Sequence, residues 1–158
     1  MSRFLGKPPI NPVVFYTGKI AGYIAWIGML VHLSGTDLSH FKSPAVFAWI
    51  GYGLFAAGLA LVGVSLFNLG NSISFGVPEE KTTLKLKGLY QYSRNPMYVG
   101  FYLFTLASML LTSNLYIFAL GIYSLVVYHL IVLAEEAFLK NRFGKAYEEY
   151  CLRVRRYI

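Results

Sequence analysis

Residues Gly88–Gly100, GLYQYSRNPMYVG, join a polar, basic start to an apolar end. Asn95-Pro96 inside this stretch is a helix-start signal. Asparagine caps orphan amides, and proline fits the first helical position because its missing N–H would be unpaired there. A helix is therefore expected from Pro96, entering a membrane with its N-terminal amides and positive dipole end at the surface. An anionic group can dock at such an end. Arg94 adds a cation beside it. Further along, Glu135 and Glu136 form a carboxylate pair just after an apolar run that contains His129. His129 lies seven residues before Glu136, on the same helix face. It is a candidate proton acceptor, or else a neutral histidine hydrogen-bonded within a bundle. Three scattered histidines and one cysteine have no metal-ligand spacing, so no metal is expected.

These residues need a scaffold, and the composition says which kind. The chain has 158 residues, of which 56% are hydrophobic and 13% charged, with a mean hydropathy of +0.53. That is too little polar surface for a soluble domain of this size, so an all-α integral membrane protein is expected, built as a single domain over 1–158. Apolar runs at Val13–Leu33, Ala45–Leu69, Pro96–Thr112 and Leu115–Leu133 give about four spans. The last two form a helical hairpin around Thr112-Ser113-Asn114. The first run is followed by no small-residue cleavage pattern and is not read as a signal peptide. Residues 13–69 form the two N-terminal spans, and residues 70–158 hold the hairpin and a C-terminal surface helix over Lys145–Ile158. Gly18 and Gly22 form a G-x-x-x-G that lets a neighbouring helix approach. Lys19 lies near one end of its span and can snorkel. His40 is expected to be merely solvated. The net charge of +7 points to basic loops beside anionic lipid and not to nucleic acid. With both termini inside, the inner segments collect Arg3, Lys7, Lys81, Lys85, Lys87, Arg94 and all basic residues from Lys140 onward. The outer loops hold only Lys42. This asymmetry places both termini and the motif at the cytoplasmic face.

The pattern G-x-Y-x-x-x-R-N-P-x-Y-x-G, with E-E-x-x-L, F-G-x-x-Y-x-x-Y and V-x-R over Glu135–Ile158, resembles the small integral-membrane methyltransferases. These are the isoprenylcysteine carboxyl methyltransferases and phospholipid methyltransferases. The resemblance covers roughly the C-terminal half. It implies S-adenosyl-L-methionine as methyl donor, with S-adenosyl-L-homocysteine as product, and a lipophilic or membrane-embedded acceptor. It carries the family's cofactor contacts onto Leu84, Lys85, Tyr90, Asn95, Pro96, Met97, Tyr98 and Glu135. Asn95 and the first amides of the Pro96 helix suit the donor's carboxylate. Glu135 or Glu136 suits its ammonium or ribose hydroxyls, and the rings of Tyr90 and Tyr98 can face its sulfonium. Glu136, His129 and Arg94 are the candidates for catalytic roles. Each also has a plainer reading: tyrosines in an interfacial belt, an arginine on lipid phosphate, glutamates at a solvated helix end. Many relatives have histidine after the arginine, where this chain has Asn95; a capping and binding role follows, not proton transfer. The prenylcysteine enzymes place a substrate-binding arginine one turn before the glutamate pair, and the matching residue here is Ile131. That departure turns attention to other acceptors, such as a phospholipid amine, a small lipophilic amine or thiol, or an isoprenoid acid. Two other readings stand beside this one: a non-enzymatic membrane scaffold that keeps the fold, and a nicotinamide-dependent membrane reductase.

Overall fold

The first helix begins at Pro12, one residue before the apolar run expected from Val13. In a computed structural model describing residues 8–69 and 87–158, the Asn11 side chain accepts from the amides of Val13 and Val14, and Pro12 takes the first helical position. Helix α1 runs Pro12–Leu33 and α2 runs Ala45–Leu69. A 3-10 turn at Gly88–Gln91 leads into α3, Pro96–Thr112. Ser113, in the left-handed region with φ 45°, turns the chain, and Asn114 caps α4, Leu115–Phe143, by accepting from Tyr116 and Ile117. Helix α5 covers Lys145–Arg153. Among the described residues no named strand occurs, and the protein is an all-α membrane protein. Helices α1, α2 and α4 are long and apolar enough to cross a bilayer, and α3 is a shorter apolar helix of 17 residues. At 29 residues α4 is about 43 Å long, more than the hydrocarbon needs.

Small residues set how the helices meet. Gly18 and Gly22 of α1 face α4: a Cβ at Gly18 would run into Val127, and one at Gly22 would sit 2.6 Å from the Ser124 hydroxyl. The G-x-x-x-G is thus a real crossing. Gly58 of α2 and Gly100 of α3 meet in the same way: a Cβ on either would lie 3.0 Å from the other's carbonyl oxygen. Helix α1 packs on both α4 and α3, while α2 packs chiefly on α3. The core between α1, α3 and α4 holds Phe15, Tyr98, Val127, Tyr128, Ile131 and Val132.

Both connections at the far end from the motif are tied together. The amide of His40 donates to the Ser113 carbonyl, Ser113 Oγ donates to Ser43 Oγ at 2.9 Å, and Asn114 Nδ2 donates to the Leu38 carbonyl. His40 is exposed but not merely solvated, because its Nδ1 accepts from the amide of Leu115 at the start of α4. The C-terminal surface helix also differs from expectation. It packs Tyr147, Tyr150 and Val154 against Leu139 and Phe143, but the helix stops at Arg153. Residues 154–158 run on with Val154 extended, and Arg155 forms a parallel bridge with Ser93.

Candidate active site

The motif is held open at its start by a glycine. Gly88 has φ 64°, and a Cβ there would collide with the Asn68 side chain of α2. The turn it begins delivers Tyr90, whose carbonyl accepts from the Tyr150 hydroxyl of α5 at 2.6 Å. Burial, with the charge of Glu135 adding to it, pushes the Tyr90 phenol up to about 12, so it stays neutral and protonated. The Tyr150 phenol is likewise pushed up to about 12, chiefly by burial.

Tyr90, Tyr98 and Glu135 converge. The Tyr98 hydroxyl donates to Glu135 Oε1 at 2.9 Å, and its ring lies in the core beside Phe101 and Tyr128. Lys19 approaches from α1. Its Nζ lies 4.2 Å from the centre of the Phe15 ring, and its charge is within electrostatic reach of Glu135. Lys19 therefore faces a carboxylate across the bundle, where its sequence position suggested only a snorkelling stem. Pro96 is buried at the head of α3 and Met97 is partly buried. Leu84 and Lys85 lie outside the described residues.

Asn95 does not cap α3 with its side chain. Its Nδ2 instead donates to Glu136 Oε1 at 2.9 Å and to the Arg156 carbonyl at 3.2 Å. A carboxylate offers a stronger, charge-assisted bond than a backbone amide, so the side chain turns away from the helix. The first-turn amides of α3 are left without a side-chain cap.

Glu136 is the hub of a second cluster. Arg94 grips it with two parallel bonds, Nε to Oε1 at 3.0 Å and Nη2 to Oε2 at 3.1 Å. Arg156 adds Nε to Oε2 at 2.9 Å. Arg94 Nη1 also donates to the carbonyls of Cys151 and Val154, and the Arg94 amide donates to the Arg155 carbonyl. Burial opposes the Arg94 charge, but the hydrogen bonds and charge of Glu136 outweigh it and hold the guanidinium above the usual arginine value. Among the described residues both Glu136 oxygens are taken, and the cluster fastens residues 151–156 onto the motif. Arg94 and Glu136 thus stand in one network, while Glu135 and Tyr98 stand in another. His129 joins neither directly. It is exposed, and its Nδ1 lies 2.6 Å from the Tyr157 hydroxyl, which in turn meets Tyr102 at 3.0 Å. Ile131 is fully buried in the core.

The sequence pointed to no site role for Arg156 or Tyr157, and it marked Tyr150 only for the apolar side of the C-terminal helix. The V-x-R at Val154–Arg156 was the available signal for Arg156, since its last residue is the one that reaches Glu136.

Known proteins resemble this chain over most of its length. The family described as phospholipid methyltransferase matches residues 46–146, which include all but the first residue of α2, the motif, α3 and all of α4. A protein-S-isoprenylcysteine O-methyltransferase of Schizosaccharomyces pombe is 29% identical over 157 aligned residues, covering 84% of this chain and 66% of that relative. One from Dictyostelium discoideum is 28% identical over 106 residues, covering 65% of this chain and 45% of the relative. The chain thus spans less than two thirds of the length of either relative. No solved structure matches it. With the family match extending over most of its length, the chain belongs to the phospholipid methyltransferase family.

Proposed function

We propose that this chain transfers a methyl group from S-adenosyl-L-methionine to a lipophilic acceptor drawn from the bilayer, at the cytoplasmic face of the membrane. The observation that carries the reading is the convergence of Tyr90, Tyr98 and Glu135 beside the uncapped start of α3. The donor is an amino acid with both an ammonium and a carboxylate, and the residues fit it. Glu135, oriented by Tyr98, binds the ammonium. The free first-turn amides of α3 take the carboxylate. Tyr90, kept neutral, offers an aromatic face to a cation without a competing charge of its own. Asn95, Pro96 and Met97 shape the wall beside them, and Leu84 and Lys85 are proposed to close the pocket by resemblance. When bound, the donor supplies a methyl group activated on a sulfonium.

The rest is positioning and exclusion of water, which suit a direct displacement. Arg94 and Glu136 contribute by fixing the motif against residues 151–156. His129, at the membrane boundary, is the candidate to accept a proton from an acceptor. Relatives named for O-methylation of isoprenylcysteine and a family named for phospholipids leave two acceptor classes: a lipophilic acid and a lipid amine. The cytoplasmic assignment rests on the concentration of basic residues at the motif end.

Purified protein in detergent should be stabilised on heating by S-adenosyl-L-homocysteine and not by NADPH. Stabilisation by NADPH alone would turn the reading to reduction. A folded sample that responds to neither would favour a scaffold.

A further inference from the structure

Two arginines share one carboxylate. Arg94 and Arg156 both bind Glu136, and the remaining donor, Asn95, is neutral. The cluster therefore holds one positive charge more than its carboxylate cancels. Arg94 is sealed in, with its side chain 11% exposed and both terminal nitrogens bonded. Arg156 is not. Its side chain is 39% exposed, and only its Nε is bonded among the described residues. The two terminal nitrogens of a planar guanidinium form a fork suited to two oxygens of one anion.

The surroundings say which anion. Glu136 follows the apolar run of α4, so Arg156 sits at head-group depth. Tyr157, Tyr102 and His129 form a hydrogen-bonded row beside it, and the Arg156 charge lies within electrostatic reach of Tyr102. Ile122 and Val126, about two turns and one turn toward the bilayer from His129, are exposed along the same face of α4, and Leu130 is exposed beside His129 itself. A surplus cation, aromatic hydroxyls at the boundary and an apolar track beneath them match a phosphate carrying acyl chains.

We propose that Arg156, Tyr157, Tyr102 and His129 bind the phosphate of an anionic phospholipid, with an acyl chain along Ile122, Val126 and Leu130. Because residues 155 and 156 also accept from Arg94 and Asn95 of the motif, the bound lipid fastens this segment in place. The site stands apart from the pocket proposed for the methyl donor, but it shares His129 with the proton-accepting role proposed above.

The test uses the full chain in nanodiscs of phosphatidylcholine alone and of phosphatidylcholine mixed with phosphatidylglycerol. The mixed discs should raise the melting temperature by about 3–6 °C, and native mass spectrometry should find one phosphatidylglycerol retained per chain. Arg156→Gln should lose both effects, and Arg156→Lys should keep part of each. Should Arg156→Gln not fold, Tyr157→Phe carries the test, since it keeps the ring, removes the hydroxyl and should reduce retention. Equal melting in both discs overturns the proposal, as does a folded Arg156→Gln that responds like the native chain. Glycerophosphate reproducing the shift in phosphatidylcholine discs would show that no lipid is needed. Loss of the shift on adding S-adenosyl-L-homocysteine would assign the free arginine to the donor's carboxylate, and displacement by a prenylated acid would assign it to the acceptor; either overturns the lipid.

Discussion

Adjacent residues on a helix point about 100° apart, and that separates the two glutamates. Glu135 faces Tyr98 and the charge of Lys19, whereas Glu136 faces Arg94, Arg156 and Asn95. Their substitutions should therefore fail differently. Glu136→Gln leaves the part-buried Arg94 opposite Arg156 with no counter-ion, and removing one partner of a largely buried pair costs about 2–3 kcal/mol. Thermal unfolding in detergent should show a large loss; a change within experimental scatter would mean that the cluster does not hold the fold. Tyr98 needs a gentler change, because its ring is part of the core. Tyr98→Phe keeps the packing and removes only the donor to Glu135. Stability should fall by about 1 kcal/mol or less, and affinity for S-adenosyl-L-homocysteine by roughly 5-fold. Native-like affinity in calorimetry would place Tyr98 and Glu135 outside the binding site.

At the scale of elements, the α2–α3 crossing positions the motif, since α3 carries Tyr98 and α2 carries Asn68 beneath Gly88. A Cβ at Gly100 would lie 2.6 Å from Val62 Cγ2 and 3.0 Å from the Gly58 carbonyl oxygen, and backbone cannot swing aside as a side chain can. Gly100→Ala should cost about 1–3 kcal/mol. Gly63→Ala, where nothing lies within 4 Å, should change stability by about 0.5 kcal/mol or less. Melting both variants side by side checks the crossing, and equal effects would remove it. The same elements show what the sequence made legible. Four apolar runs became four helices, and the breaks at Asn95-Pro96 and Ser113-Asn114 stand where local signals put them. Local signals failed where a distant partner outbid them. The Asn95 side chain left its helix for a carboxylate 41 residues away. The surface helix ended early because residues 154–156 accept bonds from the motif. Arg156 and Tyr157 belong to the site only through that pairing, which no periodicity announces. Lys19 was visible as an ionisable residue in a span, but which helix face it shares with Glu135 depends on the glycine crossing of α1 and α4.

The whole molecule has two unlike ends. At one, the connection after α1 meets the α3–α4 turn, with Lys42 as its basic residue. At the other lie Arg94, Lys140, Lys145 and the arginines from 153 to 156, together with both candidate networks. A charge difference of this kind orients a protein during insertion, with the basic end retained inside. The proposed reaction needs that orientation, because a charged, water-soluble donor must reach the pocket from the cytosol. In a Cys151→Ser background, Thr36→Cys should react with a membrane-impermeant maleimide added outside intact cells. Lys145→Cys should react only after the cells are opened. Both positions are exposed, so a missing reaction reports sidedness and not burial. The reverse pattern would turn Tyr90, Tyr98 and Glu135 away from the cytosolic donor. The family would still stand, but the proposed reaction at the cytoplasmic face would not.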